Sequence, residues 1–283
     1  MHAIRYLYFQ GCQIEPFLPH YDRSIRAVMS ALDIELVDWE WNCCGYPMRH
    51  QDLAASVLAA ARNLAVTARE GLTLMTPCKC CYGQLRQADY WMRERQDLRR
   101  HVNGILAPEG LTWAPGVPVR HLLQVLIEAS ERGALRERIR RPLRGVRIAA
   151  HYGCHALRPA EVVQFDNPRA PALFEKLVAA TGATVVDWPL RLECCGYPLR
   201  DRNEHLADKL MARKIDDARQ AGAQLLATAC TYCQMQFDRA HPRPGRGSGH
   251  LLPAVLYSQI LGRALDLPID ELGLAKNALK LGL

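Results

Sequence analysis

The strongest constraint on this chain is that it matches itself. Phe9-Gln10-Gly11-Cys12 corresponds to His151-Tyr152-Gly153-Cys154, and Val37-Asp38-Trp39 to Val186-Asp187-Trp188. Cys43-Cys44-Gly45-Tyr46-Pro47-Met48-Arg49 then corresponds to Cys194-Cys195-Gly196-Tyr197-Pro198-Leu199-Arg200, and Thr76-Pro77-Cys78-Lys79-Cys80-Cys81 to Thr228-Ala229-Cys230-Thr231-Tyr232-Cys233. A repeat of this kind is one supersecondary design used twice, and 283 residues are enough for two units with their own hydrophobic cores. The offset between copies grows from 142 at the first cysteine to 151 at the pair and 152 at the last. One loop of the second half is therefore longer than its counterpart.

Hydrophobic periodicity repeats along with the cysteines. In the first half, a strand over residues 3–9 ends near Cys12, and a helix over about 22–32 carries Ile25, Val28, Met29 and Leu32 on one face. A strand over Ile34–Val37 leads to Cys43-Cys44, an alanine-rich helix over 51–69 stops at Gly71, and a strand over 72–75 delivers Cys78 and Cys81. The second half reads alike: strand 146–150, helix 171–181, strand 183–186, helix 204–221 and strand 224–228. Alternating strands and helices predict an α/β fold of two tandem, pseudo-symmetric Rossmann-like units, each a small parallel sheet flanked by helices. Ligands of such sheets gather beyond the carboxyl ends of the strands, where every cysteine group falls.

The expected division is an N-terminal unit over residues 1–100, a connecting segment with a helix over 101–145 and a C-terminal unit over 146–283. Residues 100–119 are rich in Gly and Pro and read as connection, 119–139 as helix, 239–249 as loop and 251–265 as a closing helix. Neither a signal sequence nor an apolar run of the roughly 20 residues a membrane helix needs is evident. The chain is thus expected to be cytoplasmic, where thiols stay reduced.

The sequence holds 11 cysteines, an odd number in a chain large enough to fold without staples, which counts against a disulfide framework. Thiolate is a soft ligand that selects zinc, copper(I) or iron–sulfur clusters. A structural zinc takes four ligands, whereas each repeat offers five: Cys12, Cys43, Cys44, Cys78 and Cys81 in the first half, and Cys154, Cys194, Cys195, Cys230 and Cys233 in the second. Adjacent cysteines diverge too much to chelate one small ion well and suit several irons better. Iron–sulfur ligation is thus the favoured reading, with zinc and buried structural thiols as alternatives. Gly45 and Gly196, directly after the pairs, let the backbone approach the sulfurs as N–H donors.

Cys80 is answered by Tyr232 in the other half and so reads as a small buried residue rather than a ligand. His151 and His155 flank Cys154, where they either serve a cluster by hydrogen bonding or proton transfer or are ordinary packed histidines. Arg49 and Arg200 either offset cluster charge or are surface residues. The net charge of +7 is concentrated in two arginine runs, at Arg93, Arg95, Arg99 and Arg100 and at Arg136, Arg138, Arg140, Arg141, Arg144 and Arg147. These form a solvated face and linker or a docking surface for an acidic partner. With no aromatic interleaving or nucleic-acid motif, nucleic-acid binding is not expected.

These motifs resemble the CCG cysteine-rich domain, duplicated in the B-type subunit of heterodisulfide reductase, whose length this chain also matches. The resemblance implies two noncubane [4Fe-4S] clusters, one on each five-cysteine set, with both sets complete. It implies reductive cleavage of a disulfide between the clusters, or the reverse, with electrons from a ferredoxin-type C-like subunit and a flavin-binding A-like subunit. This chain has no C-x-x-C-x-x-C-x-x-x-C-P run of its own, so a partner is required. The substrate would be a thiol or disulfide, small or protein-bound. Lactate, glycolate and succinate oxidoreductases also use CCG domains, with cysteine sets that tend to be degenerate. The heterodisulfide-reductase-like complexes of sulfur-oxidising bacteria use similar subunits, and the high arginine and alanine content leans toward that branch.

Overall fold

The computed structural model describes residues 4–238 and 252–279. The first half runs β1 (Ile4–Tyr8), α1 (Ile14–Phe17), α2 (Pro19–Ala31), β2 (Ile34–Val37), α3 (Leu53–Glu70), β3 (Thr73–Thr76), α4 (Lys79–Glu94), α5 (Gln96–Leu106), β4 (Val119–His121), α6 (Leu122–Glu131) and α7 (Ala134–Arg138). The second half runs β5 (Arg147–Ala150), α8 (Ala160–Val163), α9 (Leu173–Ala180), β6 (Thr184–Val186), α10 (Glu204–Gln220), β7 (Leu225–Thr228), α11 (Thr231–Phe237), β8 (Ala254–Leu256), α12 (Tyr257–Ala264) and α13 (Ile269–Leu272).

Two four-stranded sheets result, ordered β2-β1-β3-β4 and β6-β5-β7-β8, with every pairing parallel. The α/β architecture predicted from the sequence is therefore present in duplicate. Strand order reverses between β1 and β3 and between β5 and β7, which is where an open parallel sheet forms its ligand crevice. Cys12 follows β1 and Cys78 follows β3 on the two sides of that switch point; Cys154 and Cys230 do so in the second sheet.

The helices bear the expected signals. Asp52 accepts a hydrogen bond from the Ala55 N–H at 2.9 Å and caps α3, and Gly71, at φ +66°, ends it. Three expectations need correction. Each sheet has a fourth strand: Val119–His121 pairs with β3 and Ala254–Leu256 with β7, so the segments read as helices over 119–139 and 251–265 begin, where described, as strands. Residues 96–106, partly assigned to a connection, form α5, which buries Leu98, Val102 and Leu106 at helical spacing. The loop read over 239–249 lies outside the described residues. Among the described residues, no helix is long and apolar enough to cross a membrane.

The halves are locked together. Helix α2 packs against α12 and α13, and α6 against α9. Ser24 and Ser258 hydroxyls meet at 2.7 Å in a buried contact, and the Tyr82 hydroxyl of α4 donates to the Val163 carbonyl at 2.6 Å. Gly83 permits this approach, because a Cβ there would lie 2.6 Å from the His155 carbonyl oxygen.

Candidate metal centre

Cys78 and Cys230 are the N-cap residues of α4 and α11, so each C-x-x-C occupies a helix's first turn, with Cys81 and Cys233 one turn on. Residues three apart share a helix face. The adjacent pairs precede a left-handed glycine: Gly45 at φ +83° and Gly196 at φ +88°. Their N–H groups donate to Cys43 Sγ at 3.4 Å and Cys194 Sγ at 3.3 Å. A Cβ at Gly45 would meet the Ser56 carbonyl oxygen at 2.2 Å, and one at Gly196 the Ala207 oxygen at 2.7 Å, so glycine is required at both turns.

The sulfurs of each half form a continuous string in the same order. Thiol hydrogen bonds link Cys12 to Cys43, Cys43 to Cys44, Cys44 to Cys81 and Cys81 to Cys78. In the second half they link Cys154 to Cys194, Cys194 to Cys195, Cys195 to Cys233 and Cys233 to Cys230. All ten cysteines singled out in the sequence thus assemble into two sets of five. The strings meet, because Cys78 and Cys230 are in contact, and Cys80 bonds to both. The sulfurs of Cys78, Cys80 and Cys230 lie within 4.8 Å of one another. Cys80 is buried, as its place in the repeat suggested, but its position between the sets was not legible in the sequence.

Shared protons polarise the pairs. Hydrogen bonds from Cys43 and Cys81 lower the Cys44 pKa to about 5, and those from Cys154 and Cys195 hold Cys194 well below the usual thiol range. Cys12 and Cys154, hydrogen-bonded to Cys43 and Cys194 and partly buried, are pushed up. Metal ligation requires thiolates, and each string offers one at its adjacent pair.

Beside each set lies a small pocket, one lined by Cys12, Cys44, Cys78 and Cys81 and the other by Cys154, Cys194, Cys195, Cys230 and Cys233. Gly11 and Gly153, both at positive φ, keep these spaces open, since a Cβ on either would sit 3.3 Å from the sulfur of Cys81 or Cys233. Five soft donors around such a space exceed what one tetrahedral zinc uses. The donor set fits a multi-iron cluster.

Cys80 and Tyr232 line both cavities. Tyr232 stacks on Tyr197 at 4.6 Å and faces Tyr46 at 5.7 Å, so the tyrosines of both CCGYP segments meet over the seam. Above them opens a groove of about 460 Å³ lined by Tyr46, Arg49, His50, Tyr197, Asp201 and Arg202 among others. A second, of about 470 Å³, shares Arg49 and His50 and adds His155 and Arg158. Cationic groups outnumber the one acidic residue along this path.

The remaining candidates fall in different places. Arg49 lies 3.6 Å over the Tyr46 ring and faces the groove, whereas Arg200 is held within its own half by Gln236, Glu204 and Asp208. His155 meets the Tyr46 hydroxyl at 3.1 Å and the sulfurs of Cys80 and Cys154 at 3.6 Å each. His151 is buried, and neither ring nitrogen has a hydrogen-bond partner among the described residues. The arginine runs face solvent for the most part, with Arg93 paired to Asp89 and Arg95 to Asp97. Two residues the repeat comparison passed over, Lys79 and Lys214, are buried beside the second set.

The family of the CCG cysteine-rich domain matches residues 6–86 and 148–238, covering both sulfur strings. The chain belongs to that family. It is 31% identical to the B-type subunit of the ferredoxin/F(420)H(2)-dependent CoB-CoM heterodisulfide reductase of Methanosarcina acetivorans, over 96% of this chain and 93% of that protein. It is 34% identical to a protein of Archaeoglobus profundus that is itself like the heterodisulfide reductase B-type subunit, over 85% of this chain and 83% of that one. Similarity extends to the 8-methylmenaquinol:fumarate reductase membrane anchor subunit of Wolinella succinogenes, at 33% identity over 98% of this chain and 99% of that protein. A crystal structure of a hypothetical Helicobacter pylori protein superposes on 99% of this chain and 55% of its own length with a TM-score of 0.75 at 14% identity, a likeness of fold. The duplicated CCG domain and its cysteine sets make this an iron–sulfur oxidoreductase component that works with partner subunits, as its relatives do.

Proposed function

We propose that this CCG protein is the catalytic subunit of a heterodisulfide reductase-like complex, cleaving or forming a disulfide or related sulfur-linked substrate. Each five-cysteine set holds one noncubane [4Fe-4S] cluster, the first on Cys12, Cys43, Cys44, Cys78 and Cys81 and the second on Cys154, Cys194, Cys195, Cys230 and Cys233. The observation that carries this reading is the meeting of the two sulfur strings at Cys78 and Cys230 beneath one shared groove. A disulfide has two sulfur leaving groups, and two adjoining metal centres offer a soft site to each. When bound, the clusters supply the electrons and those soft iron sites.

The chain's own residues do the rest. Tyr46, Tyr197 and Tyr232 wall the seam between the cavities and the groove. Arg49, Arg158 and Arg202 favour a substrate bearing negative charge. His155, between Cys154 and Tyr46, is positioned to hydrogen-bond a sulfur that leaves as thiolate. Electrons come from a ferredoxin-type C-like subunit and a flavin-binding A-like subunit in the cytoplasm, and the domains follow residues 1–100, 101–145 and 146–283. No nucleic acid takes part.

The similarity to a fumarate reductase subunit favours a second reading, an electron-transfer subunit without bond chemistry. Anaerobic purification, an iron count and EPR after adding thiols and disulfides decide between them. The proposal expects both sets to be loaded and a substrate-dependent signal; a loaded protein whose spectrum ignores every sulfur substrate supports the second reading. A colourless protein containing zinc refutes both.

A further inference from the structure

The two five-cysteine sets are built alike, but their surroundings are not. His151, Lys79 and Lys214 surround the C-terminal set; the repeat puts Phe9, Thr231 and Asn63 at the corresponding places of the N-terminal one. Lys79 follows Cys78 yet reaches across the seam. Its Nζ donates to the His151 carbonyl at 3.2 Å and lies 4.9 Å from the Phe174 ring centroid. Gly153 leaves room for this path, since Lys79 Cδ stands 3.4 Å from where a Cβ would be. Lys214 projects from α10, donates to the Leu190 carbonyl and lies 4.7 Å over Trp188. Both side chains are buried, at 1% and 2% exposure, which is costly for an ammonium without compensating negative charge.

That charge lies in the second set. Burial lowers the pKa of each lysine to about 8, and the sulfurs of Cys233 and Cys230 at Lys79, and of Cys233 and Cys195 at Lys214, oppose it most, ahead of the carboxylates of Glu175 and Glu193. His151 provides an independent sign. It is 1% exposed, both ring nitrogens lack a partner among the described residues, and it groups with the sulfurs of Cys195 and Cys233 within 4.8 Å. A buried imidazole N–H left unpaired is expensive, and a bound sulfur-rich group would give it an acceptor. At the first set, Phe9 has no polar group to offer, the Asn63 amide is spent on the carbonyls of Asn42 and Cys43, and the buried Thr231 brings a neutral hydroxyl to the cavity where the second set has the Lys79 ammonium.

Resting on the iron–sulfur reading above, we infer that the C-terminal set holds the higher-potential cluster, tuned by Lys79, Lys214 and His151 as positioning residues. Reduction adds one negative charge to a thiolate-ligated cluster, so nearby cations and N–H donors stabilise the reduced form more than the oxidised. An electron from a one-electron donor, a partner's cluster or a reduced viologen that is thereby oxidised, settles on the C-terminal side. The N-terminal cluster is then the weaker acceptor of the two.

The test is an EPR-monitored redox titration of the anaerobically purified full chain with viologen mediators. Cys44→Ser removes the N-terminal signal and so assigns the two. The C-terminal signal is expected at the higher potential. Lys214→Met, which keeps the length of the side chain, is expected to weaken reduction there about tenfold, or about 59 mV for a one-electron couple, with the N-terminal signal unmoved. His151→Phe is expected to act in the same direction, and Asn63→Lys to raise the N-terminal signal. With the signals assigned by Cys44→Ser, a C-terminal potential equal to or below the N-terminal one overturns the inference even if none of the lysine, histidine and asparagine variants folds. So does a shift common to both clusters in Lys214→Met. A chain that binds no iron instead sinks the iron–sulfur reading on which this rests.

Discussion

His121 couples stability to pH and also supports the loop that delivers Cys78. It ends β4, is fully buried, and uses both ring nitrogens: Nδ1 accepts from the Leu123 N–H at 3.1 Å and Nε2–H donates to the Pro77 carbonyl at 3.1 Å. This is a neutral imidazole acting as the N-cap of α6. Desolvation by burial, then the nearby Lys79 charge, lowers its pKa to about 3. The unfolded chain's histidine takes up a proton below about pH 6.5 while the folded one does not, so stability is complete above that pH and is lost as pH falls toward the folded value. At pH 5.5 the loss is about 1.4 kcal/mol relative to neutral pH, or about 2–3 °C in Tm for a chain of this length. His121→Asn keeps a side chain that caps helices but has no titratable group. It is expected to cost about 2 kcal/mol at pH 7.5, through the lost Pro77 bond and the vacated ring volume. Tyr21 still donates to the Pro77 carbonyl at 3.0 Å, which limits that cost. Tm measured anaerobically by circular dichroism at pH 7.5 and 5.5 separates the terms. The wild type should lose about 2–3 °C more than the variant between the two pH values; equal losses would refute the assignment of His121 as a buried neutral cap.

Cys195→Ser should lower the iron content by about half and leave the N-terminal EPR signal in place, whereas loss of all iron would mean that the two sets load as one. Gly45→Ala should destabilise by more than about 3 kcal/mol, because its Cβ would strike the Ser56 carbonyl at φ +83°; Gly71→Ala, at φ +66° with open space around it, should cost only about 1 kcal/mol. Tm and soluble yield measure both. Tyr82→Phe removes a 2.6 Å bond across the halves and should lower stability by about 1–2 kcal/mol without altering iron content; an unchanged Tm would mean that this contact does not hold the seam.

The repeat made the ten cysteines legible, together with their placement at equivalent strand ends, because the residue types at a metal centre are set by chemistry that leaves few substitutes. The strands β1, β2 and β3 and their counterparts were also readable, since each is a short apolar run bounded by a helix stop or a turn. The fourth strands were not. Val119–His121 and Ala254–Leu256 are three residues long, follow Pro118 and Pro253, and pass straight into Leu122 and Tyr257 without a turn residue between. A periodicity window merges each with its helix. Helix α5 was partly hidden by Gly104, which the structure leaves exposed on the solvent side. Lys79 and Lys214 looked ordinary because a lysine in sequence reads as solvated; only the mismatch with Thr231 and Asn63 in the other copy could have flagged them.

Duplication explains why the sets are alike, and the seam explains why they could diverge. Both C-x-x-C motifs sit on first turns whose N-termini converge at Cys78 and Cys230, so whatever follows the first cysteine of one motif points toward the other half's sulfurs. In the first copy that residue is Lys79, which carries an ammonium across, and in the second it is Thr231, which brings only a neutral hydroxyl to the other cavity. A symmetric ancestor with the same residue in both places would have treated its two sets alike. The position inside each motif has diverged as well, to Cys80 in one copy and Tyr232 in the other, and both side chains wall the two cavities at once. Differences between the copies thus fall where one half touches the other's sulfurs, while the five ligands and the glycines that shape their turns are kept in both. A chain that only stored metal would have no use for this arrangement. Two centres made unequal across a shared groove give transferred electrons a direction.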